Sequence, residues 1–177
     1  MRKNCIAIIG ARGAGKSKLS RKFAKMTGRL VLSTDTLVCY EAGGIPVSEI
    51  VRMYGWNNFR DREFELLGKL KSMQNVVIDC GGGMIVEAPE AEGAEESFSR
   101  RKVDLLKSFS RVLYIKRDLD WLLSRSLKDS NRPDLNGHYE NILLKRLPWY
   151  EAAADEIVDM RGLDADLAAE HLAGKYP

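Results

Sequence analysis

Gly10-Ala11-Arg12-Gly13-Ala14-Gly15-Lys16-Ser17 is the stretch that decides the fold of this chain. It follows Cys5-Ile6-Ala7-Ile8-Ile9, a short continuous apolar run of the kind that forms a strand buried on both faces. After it, Lys16 to Met26 reads as a helix. The spacing G-x-x-x-x-G-K-[ST], set between a strand and a helix, predicts a cradle for nucleotide phosphates. Glycines let the loop turn tightly and aim backbone N–H groups inward, and the helix start adds the positive end of its dipole. Gly13, Ala14 and Gly15 would line the cradle, with Lys18 extending the nucleotide-binding run. Lys16 would supply a point charge for the outer phosphates, and Ser17 would offer a hydroxyl to Mg²⁺. A glycine-rich turn that fits by chance is the plainer reading; the flanking strand and helix argue against it.

Outward from this motif, strands and helices alternate. Leu30 to Leu32 reads as a second strand. Thr36 to Met73 reads as helix, broken at Gly43-Gly44-Ile45-Pro46 and at Gly55. Asn75 to Asp79 forms a third strand ending in Gly81-Gly82-Gly83. A stretch carrying Glu87, Glu90, Glu92, Glu95 and Glu96 reads as solvated surface charge. Ser97 to Ser108 is expected to be helical, with Phe98, Leu105, Leu106 and Phe109 on one face. Arg111 to Ile115 is a fourth strand, and Asp118 is placed to cap the helix that follows it. Lys128 to His138 is rich in loop formers and reads as a mobile loop. Tyr139 to Ala154 is helix, Glu156 to Val158 a fifth strand, and Leu163 to Ala173 a closing helix. Such alternation predicts an α/β fold with a parallel sheet covered on both faces.

The bulk numbers bound the function. A chain of 177 residues with 45% apolar content is enough for a single domain with its own core. Lysine and arginine total 28 against 25 acids, a net charge of +3 that does not argue for nucleic acid. No basic stripe or aromatic platform appears either. The 3 cysteines, Cys5, Cys39 and Cys80, include no C-x-x-C pair, so neither a disulfide framework nor a zinc site is indicated. The 2 histidines, His138 and His171, lie far apart. No run of 18 apolar residues exists, so no membrane span is expected. Met1-Arg2-Lys3-Asn4 leads straight into a strand, unlike a signal peptide, which predicts a cytoplasmic protein.

Other residues fit phosphoryl transfer to an acidic acceptor. Asp35 would stand at the carboxyl end of a strand, where α/β sheets hold ligands. There a carboxylate can accept the proton of an alcohol and aim its oxygen at a phosphoryl group. Asp35 could also cap the next helix, or do both. Arg60 and Arg146 are guanidinium forks suited to a carboxylate. Either arginine could instead make an ion pair within the chain, Arg60 for instance with Glu63 on its own helix face.

The P-loop, Ser33-Thr34-Asp35, Phe59-Arg60-Asp61-Arg62-Glu63, Gly81-Gly82-Gly83, Arg132-Pro133 and Arg146-Leu147-Pro148-Trp149-Tyr150-Glu151-Ala152-Ala153-Ala154-Asp155 occur in that order. In this series the chain resembles the shikimate kinase family over nearly its whole length. The resemblance implies a three-layer P-loop kinase fold with a five-stranded parallel sheet in the order 2-3-1-4-5. It also implies a cap over residues 36–63 and a lid over 128–138. Arg60 and Arg146 would grip the shikimate carboxylate, and Gly81, Gly82 and Gly83 would line the acceptor pocket. Arg132 would swing over the transferring phosphoryl, and Arg125 would stack on adenine; an exposed helix arginine is the plainer reading of Arg125. The cofactors implied are ATP and Mg²⁺, with a small carboxylate as substrate and a monomer as the working unit.

The chain also departs from the family pattern. Ser33 stands where the family usually has the first aspartate of Asp-x-Asp, a carboxylate thought to help hold Mg²⁺ through water. Asp79 ends the third strand where a small residue is usual, and it could restore the missing charge or simply cap local N–H groups. Trp56 follows Gly55 where a glutamate is usual, Arg12 adds a cation to the P-loop, and the segment from Gly83 to Arg111 is longer than usual. The expected reaction is ATP-dependent phosphorylation of a shikimate hydroxyl. A kinase for another hydroxylated acid, or a ligand-sensing module without turnover, are the alternatives.

Overall fold

The computed structural model describes residues 4–89, 94–126 and 139–177. Strand β1 (Cys5–Ile9) is buried along its whole length, as its unbroken apolar sequence requires. The loop after it leads into helix α1 (Lys16–Thr27), which ends on the left-handed Gly28. Strand β2 (Leu30–Ser33) is followed by α2 (Thr34–Glu41) and α3 (Val47–Leu70). The breaks fall where the glycines and proline stand: residues 42–46 separate the two helices, and Gly55 interrupts α3 with φ 78°. Strand β3 (Val76–Asp79) is again buried throughout.

The later part alternates in the same way. Helix α4 (Arg100–Phe109) precedes β6 (Ser110–Lys116), then α5 (Leu119–Ser126), α6 (Tyr139–Ala153), β7 (Glu156–Asp159) and α7 (Ala165–Lys175). Between β3 and α4, β4 (Val86–Glu87) and β5 (Ser97–Phe98) pair as a separate antiparallel ribbon. The main sheet has five strands, all paired in parallel, in the order β2-β3-β1-β6-β7. Counted within that sheet alone the order is 2-3-1-4-5, as the resemblance implied. Helices flank both faces, and one cluster of buried residues runs from Cys5 to Leu172. No described helix is long and apolar enough to cross a membrane.

Several boundaries shift from the sequence reading, and two of the shifts have a visible cause. Ser97 and Phe98 are extended rather than helical, because they pair with Glu87 and Val86 across the ribbon. The helix starts only after Ser99, whose hydroxyl accepts the Lys102 N–H at 3.4 Å. Its buried face is Lys102, Val103 and Leu106, with Leu105 and Phe109 only half-buried. The closing helix begins at Ala165 rather than Leu163, because Asp164 accepts the N–H groups of Asp166 and Leu167 at 2.8 and 3.0 Å. The residues expected to form a lid, 128–138, lie outside the described residues, and Arg132 with them.

Candidate active site

The parallel strands deliver their following loops to one edge of the sheet. In the register, Ile8 of β1 and Ser33 of β2 both pair with Asp79 of β3. The P-loop, the start of α2 and the glycine triplet therefore leave the sheet side by side. Gly15, in the left-handed region at φ 94°, caps α1 and turns the loop into the helix. Lys16 is buried, and its amine folds back over the loop to donate to the Ala11 carbonyl at 2.9 Å. Ser17 is exposed at the first turn and faces the same cavity as Lys16. Lys18 is also exposed but lines neither that cavity nor its neighbour described below; its charge, with that of Lys22, helps hold Asp164 below the usual carboxylate range behind that residue's backbone hydrogen bonds.

Two cavities meet at Asp35. One is lined by Lys16, Ser17, Arg21, Ser33 and Asp79; the other by Trp56, Phe59, Arg60, Gly83, Arg146 and Tyr150. Asp35 and Gly82 line both. Asp35 is not the residue that caps α2. Ser33 does that, accepting the Thr36 N–H at 3.4 Å, which leaves the Asp35 carboxylate directed at the glycine triplet. The position taken by Ser33 thus has a structural task of its own.

Two of the three glycines are required because neighbouring side chains occupy the space a Cβ would need. A Cβ on Gly81 would collide with the Asp35 carboxylate, and one on Gly83 with the Arg60 guanidinium. The Gly81 N–H donates to Thr34 Oγ1 at 2.8 Å, which ties the triplet to the start of α2. The Gly82 carbonyl accepts from the Tyr150 hydroxyl and makes a long 3.5 Å contact with Arg146 Nη1.

Both arginines are held by acids. Arg60, only 5% exposed, donates to Glu63 Oε2 at 2.9 Å and lies over the rings of Trp56 and Phe59, at 5.0 and 5.4 Å. The pairing with Glu63 and the cavity position are both realised. The Nε of Arg60 is buried without an acceptor among the described residues. Lys102, fully buried, donates to the same Glu63 oxygen at 2.8 Å and to the Val86 carbonyl at 2.6 Å. Burial pulls the Lys102 ammonium below its ordinary value, against the attraction of Glu63. Arg146 donates through Nε to Glu96 Oε1 at 2.6 Å and through Nη2 to the second oxygen.

Asp79 is 7% exposed, faces the Lys16 and Ser17 cavity, and makes no hydrogen bond or ion pair with any described residue. A buried carboxylate without a partner is costly unless something cationic reaches it. Ser17 and Asp79 are hard oxygen donors, so they fit a divalent ion that also takes phosphate oxygens and water. The neighbouring Cys80 thiol is pushed up by burial and remains protonated.

Arg125 is exposed on α5, its guanidinium 4.9 Å from the Trp121 ring, and a Cβ on Gly13 would touch the Arg125 Cβ at 3.0 Å. It therefore borders the P-loop. Sequence reasoning missed four residues around the site. Arg117 lies 4.6 Å from the same ring and holds the Met160 carbonyl at 2.8 Å. The Tyr139 hydroxyl donates to the Arg12 carbonyl at 2.9 Å, joining α6 to the P-loop. Glu87 and Glu96 were read as surface charge, yet Glu96 pairs with Arg146. Glu87 is drawn down to about 2, because Arg101, Ser99 and Lys102 outweigh the burial that would raise it. Only spatial neighbours tell these two from the exposed Glu95.

Gly81→Ala is expected to displace Asp35 and lower phosphoryl transfer on the order of a hundredfold, with nucleotide affinity little changed. Turnover assays with nucleotide titrations measure both; near-normal turnover would show that the Asp35 position is not fixed by the triplet.

Known proteins resemble this chain in sequence and in fold. The shikimate kinase family model matches residues 12–175. A shikimate kinase of Leptospira biflexa is 41% identical, over 94% of this chain and 92% of that one. One from Leptospira borgpetersenii is 38% identical, over 99% and 98%. The solved shikimate kinase of Acinetobacter baumannii in complex with shikimate superposes with a TM-score of 0.80 at 28% identity, covering 96% of this chain and 90% of that one. The chain belongs to the shikimate kinase family.

Proposed function

We propose that this protein transfers the γ-phosphoryl group of ATP to a hydroxyl of shikimate, giving shikimate 3-phosphate and ADP. The observation that carries the reading is the position of Asp35, among the described residues the one acidic side chain lining both the P-loop cavity and the arginine-lined cavity. On the P-loop side, Gly13, Ala14 and Gly15 cradle phosphates through their backbone, and Lys16 exchanges the Ala11 carbonyl for phosphate oxygens. On the other side, Arg60 and Arg146 receive the acceptor carboxylate, while Gly81, Gly82 and Gly83 let the ring approach. The orphaned Arg60 Nε is a donor for that carboxylate. Asp35 takes the proton of the attacked hydroxyl and holds its oxygen toward the phosphorus.

Arg125, with its neighbour Arg117, borders the place for the adenine ring. Arg132 is assigned to a lid that stabilises charge on the transferring phosphoryl. Lys18 completes the nucleotide-binding run. Ser17 and Asp79, which line the P-loop cavity, would hold Mg²⁺, and the ion would supply charge neutralisation on the phosphate oxygens. Ser33 cannot provide a carboxylate, and its register partner Asp79 stands in its place. The chain works as one kinase domain, with residues 36–63 as the acceptor-binding cap, in the cytoplasm, as a monomer, without nucleic acid. Another hydroxylated carboxylic acid remains the second reading of the acceptor, favoured by Trp56 in the cavity wall.

A coupled assay of ADP release tests the reaction. ADP formation is expected only with ATP, Mg²⁺ and shikimate together; equal release with and without shikimate would refute the acceptor. Asp79→Asn is expected to raise the Mg²⁺ concentration for half-maximal activity while shikimate affinity changes little. Ser33→Asp in that background should recover part of the loss. A normal Mg²⁺ dependence in Asp79→Asn would make Asp79 a structural residue.

A further inference from the structure

The segment between β3 and α4 docks on α6 at three successive points. Glu95 pairs with Lys145, Glu96 with Arg146, and the ring of Phe98 lies 6.5 Å from that of Trp149. The β4–β5 ribbon fixes the segment, with Val86 opposite Phe98 and Glu87 opposite Ser97. Arg101 strengthens that anchor by reaching both Glu87 and Asp61 at 2.8 Å. Glu96 is therefore not a stray surface acid. Its side chain is 17% exposed and that of Arg146 is 11% exposed.

The geometry of the pair decides its role. A guanidinium has two edges that can grip a carboxylate in parallel: Nε with Nη2, and Nη1 with Nη2. Glu96 takes the Nε–Nη2 edge. It does so from the cavity that contains Glu95 and Lys145, which is not the cavity of Asp35. Arg146 forms part of the wall between the two. Its Nη1 is left on the Asp35 side, within 3.5 Å of the Gly82 carbonyl. Arg60 also has an acid, but Glu63 lines the Asp35 cavity beside it, with the buried Lys102 behind Glu63.

We propose that Glu96 is a positioning residue for acceptor binding: it fixes the plane of Arg146 from behind, so that the Nη1–Nη2 edge faces the acceptor carboxylate. This rests on the reading of Arg146 as an acceptor ligand. Without Glu96, a long side chain rich in rotamers must be ordered by the acceptor itself. The segment from β3 to α4 thereby acquires a task, which is to supply counter-charge to a binding arginine.

Calorimetric titration of shikimate, with Glu96→Gln, Glu96→Asp, Arg146→Lys, the Glu96→Gln/Arg146→Lys pair and Glu95→Gln, tests the proposal. Glu96→Gln is expected to weaken shikimate binding about tenfold, with ATP affinity and kcat at saturating acceptor within about twofold. Glu96→Asp, too short for the fork, should shift affinity the same way and decides the matter if the glutamine variant does not fold. In the Arg146→Lys background Glu96→Gln should add almost nothing, and Glu95→Gln alone should match the unsubstituted protein. Arg146→Lys weakening binding while Glu96→Gln and Glu96→Asp leave it unchanged or tighter would overturn the proposal and leave the reading of Arg146 intact. A full tenfold loss on top of Arg146→Lys would also overturn it. Unchanged affinity in Arg146→Lys would overturn the reading of Arg146 and the proposal together.

Discussion

Parallel pairing of β1 between β3 and β6 is the constraint on which the site depends. Parallel strands all end at the same edge, and the loops that follow them must leave together. Here that edge holds Gly10 after β1, Ser33 at the end of β2, and Asp79 at the end of β3, with Ile8 and Ser33 on either side of Asp79 in the register. The phosphate cradle, the Asp35 carboxylate and the glycine triplet are neighbours for this reason, although about 70 residues of sequence separate the first from the last. A register slip of one residue would turn Asp79 from the cavity to the opposite face of the sheet.

Charge burial sets the second level of organisation. Two guanidinium groups beside one cavity repel each other and lose hydration, and a protein keeps such groups only with counter-charge. Arg60 has Glu63, and Glu63 is in turn backed by the buried Lys102. Arg146 has Glu96. Both Lys102 and Glu96 come from the part of the chain between β3 and β6, so the acceptor side of the cavity is braced by residues that never line its inner wall. Tyr150 adds rigidity, its ring stacked on Tyr114 at 5.3 Å and its hydroxyl on the Gly82 carbonyl.

Much of this was legible in the sequence, for reasons that differ by residue. The P-loop is local: its spacing, its strand and its helix are all within one stretch, so the sequence carries the whole motif. Asp35, Arg60, Gly81, Gly82, Gly83 and Arg146 were found through their order along the chain, and they border the same pair of cavities. Ser33 was harder, because serine and aspartate both cap helices and stand two positions apart; the hydrogen bond to Thr36 decides between them. The two-residue strands β4 and β5 are too short for any periodicity to show. Lys102 follows Arg100 and Arg101, so the run reads as a solvated face, and only its position before Val103 turns it inward. Glu96 is indistinguishable from Glu95 by sequence, because the difference lies in which α6 side chain each one meets.

Asp35 lines both cavities, and on the proposed reading its carboxylate would serve the transfer step that joins the two halves of the site. The most direct measurement is the turnover of Asp35→Asn set beside its affinities for ATP and shikimate. The account predicts both affinities within about threefold of the unsubstituted protein and a turnover lowered roughly a hundred- to ten-thousandfold, the range for loss of a general base. Turnover close to that of the unsubstituted protein would contradict it.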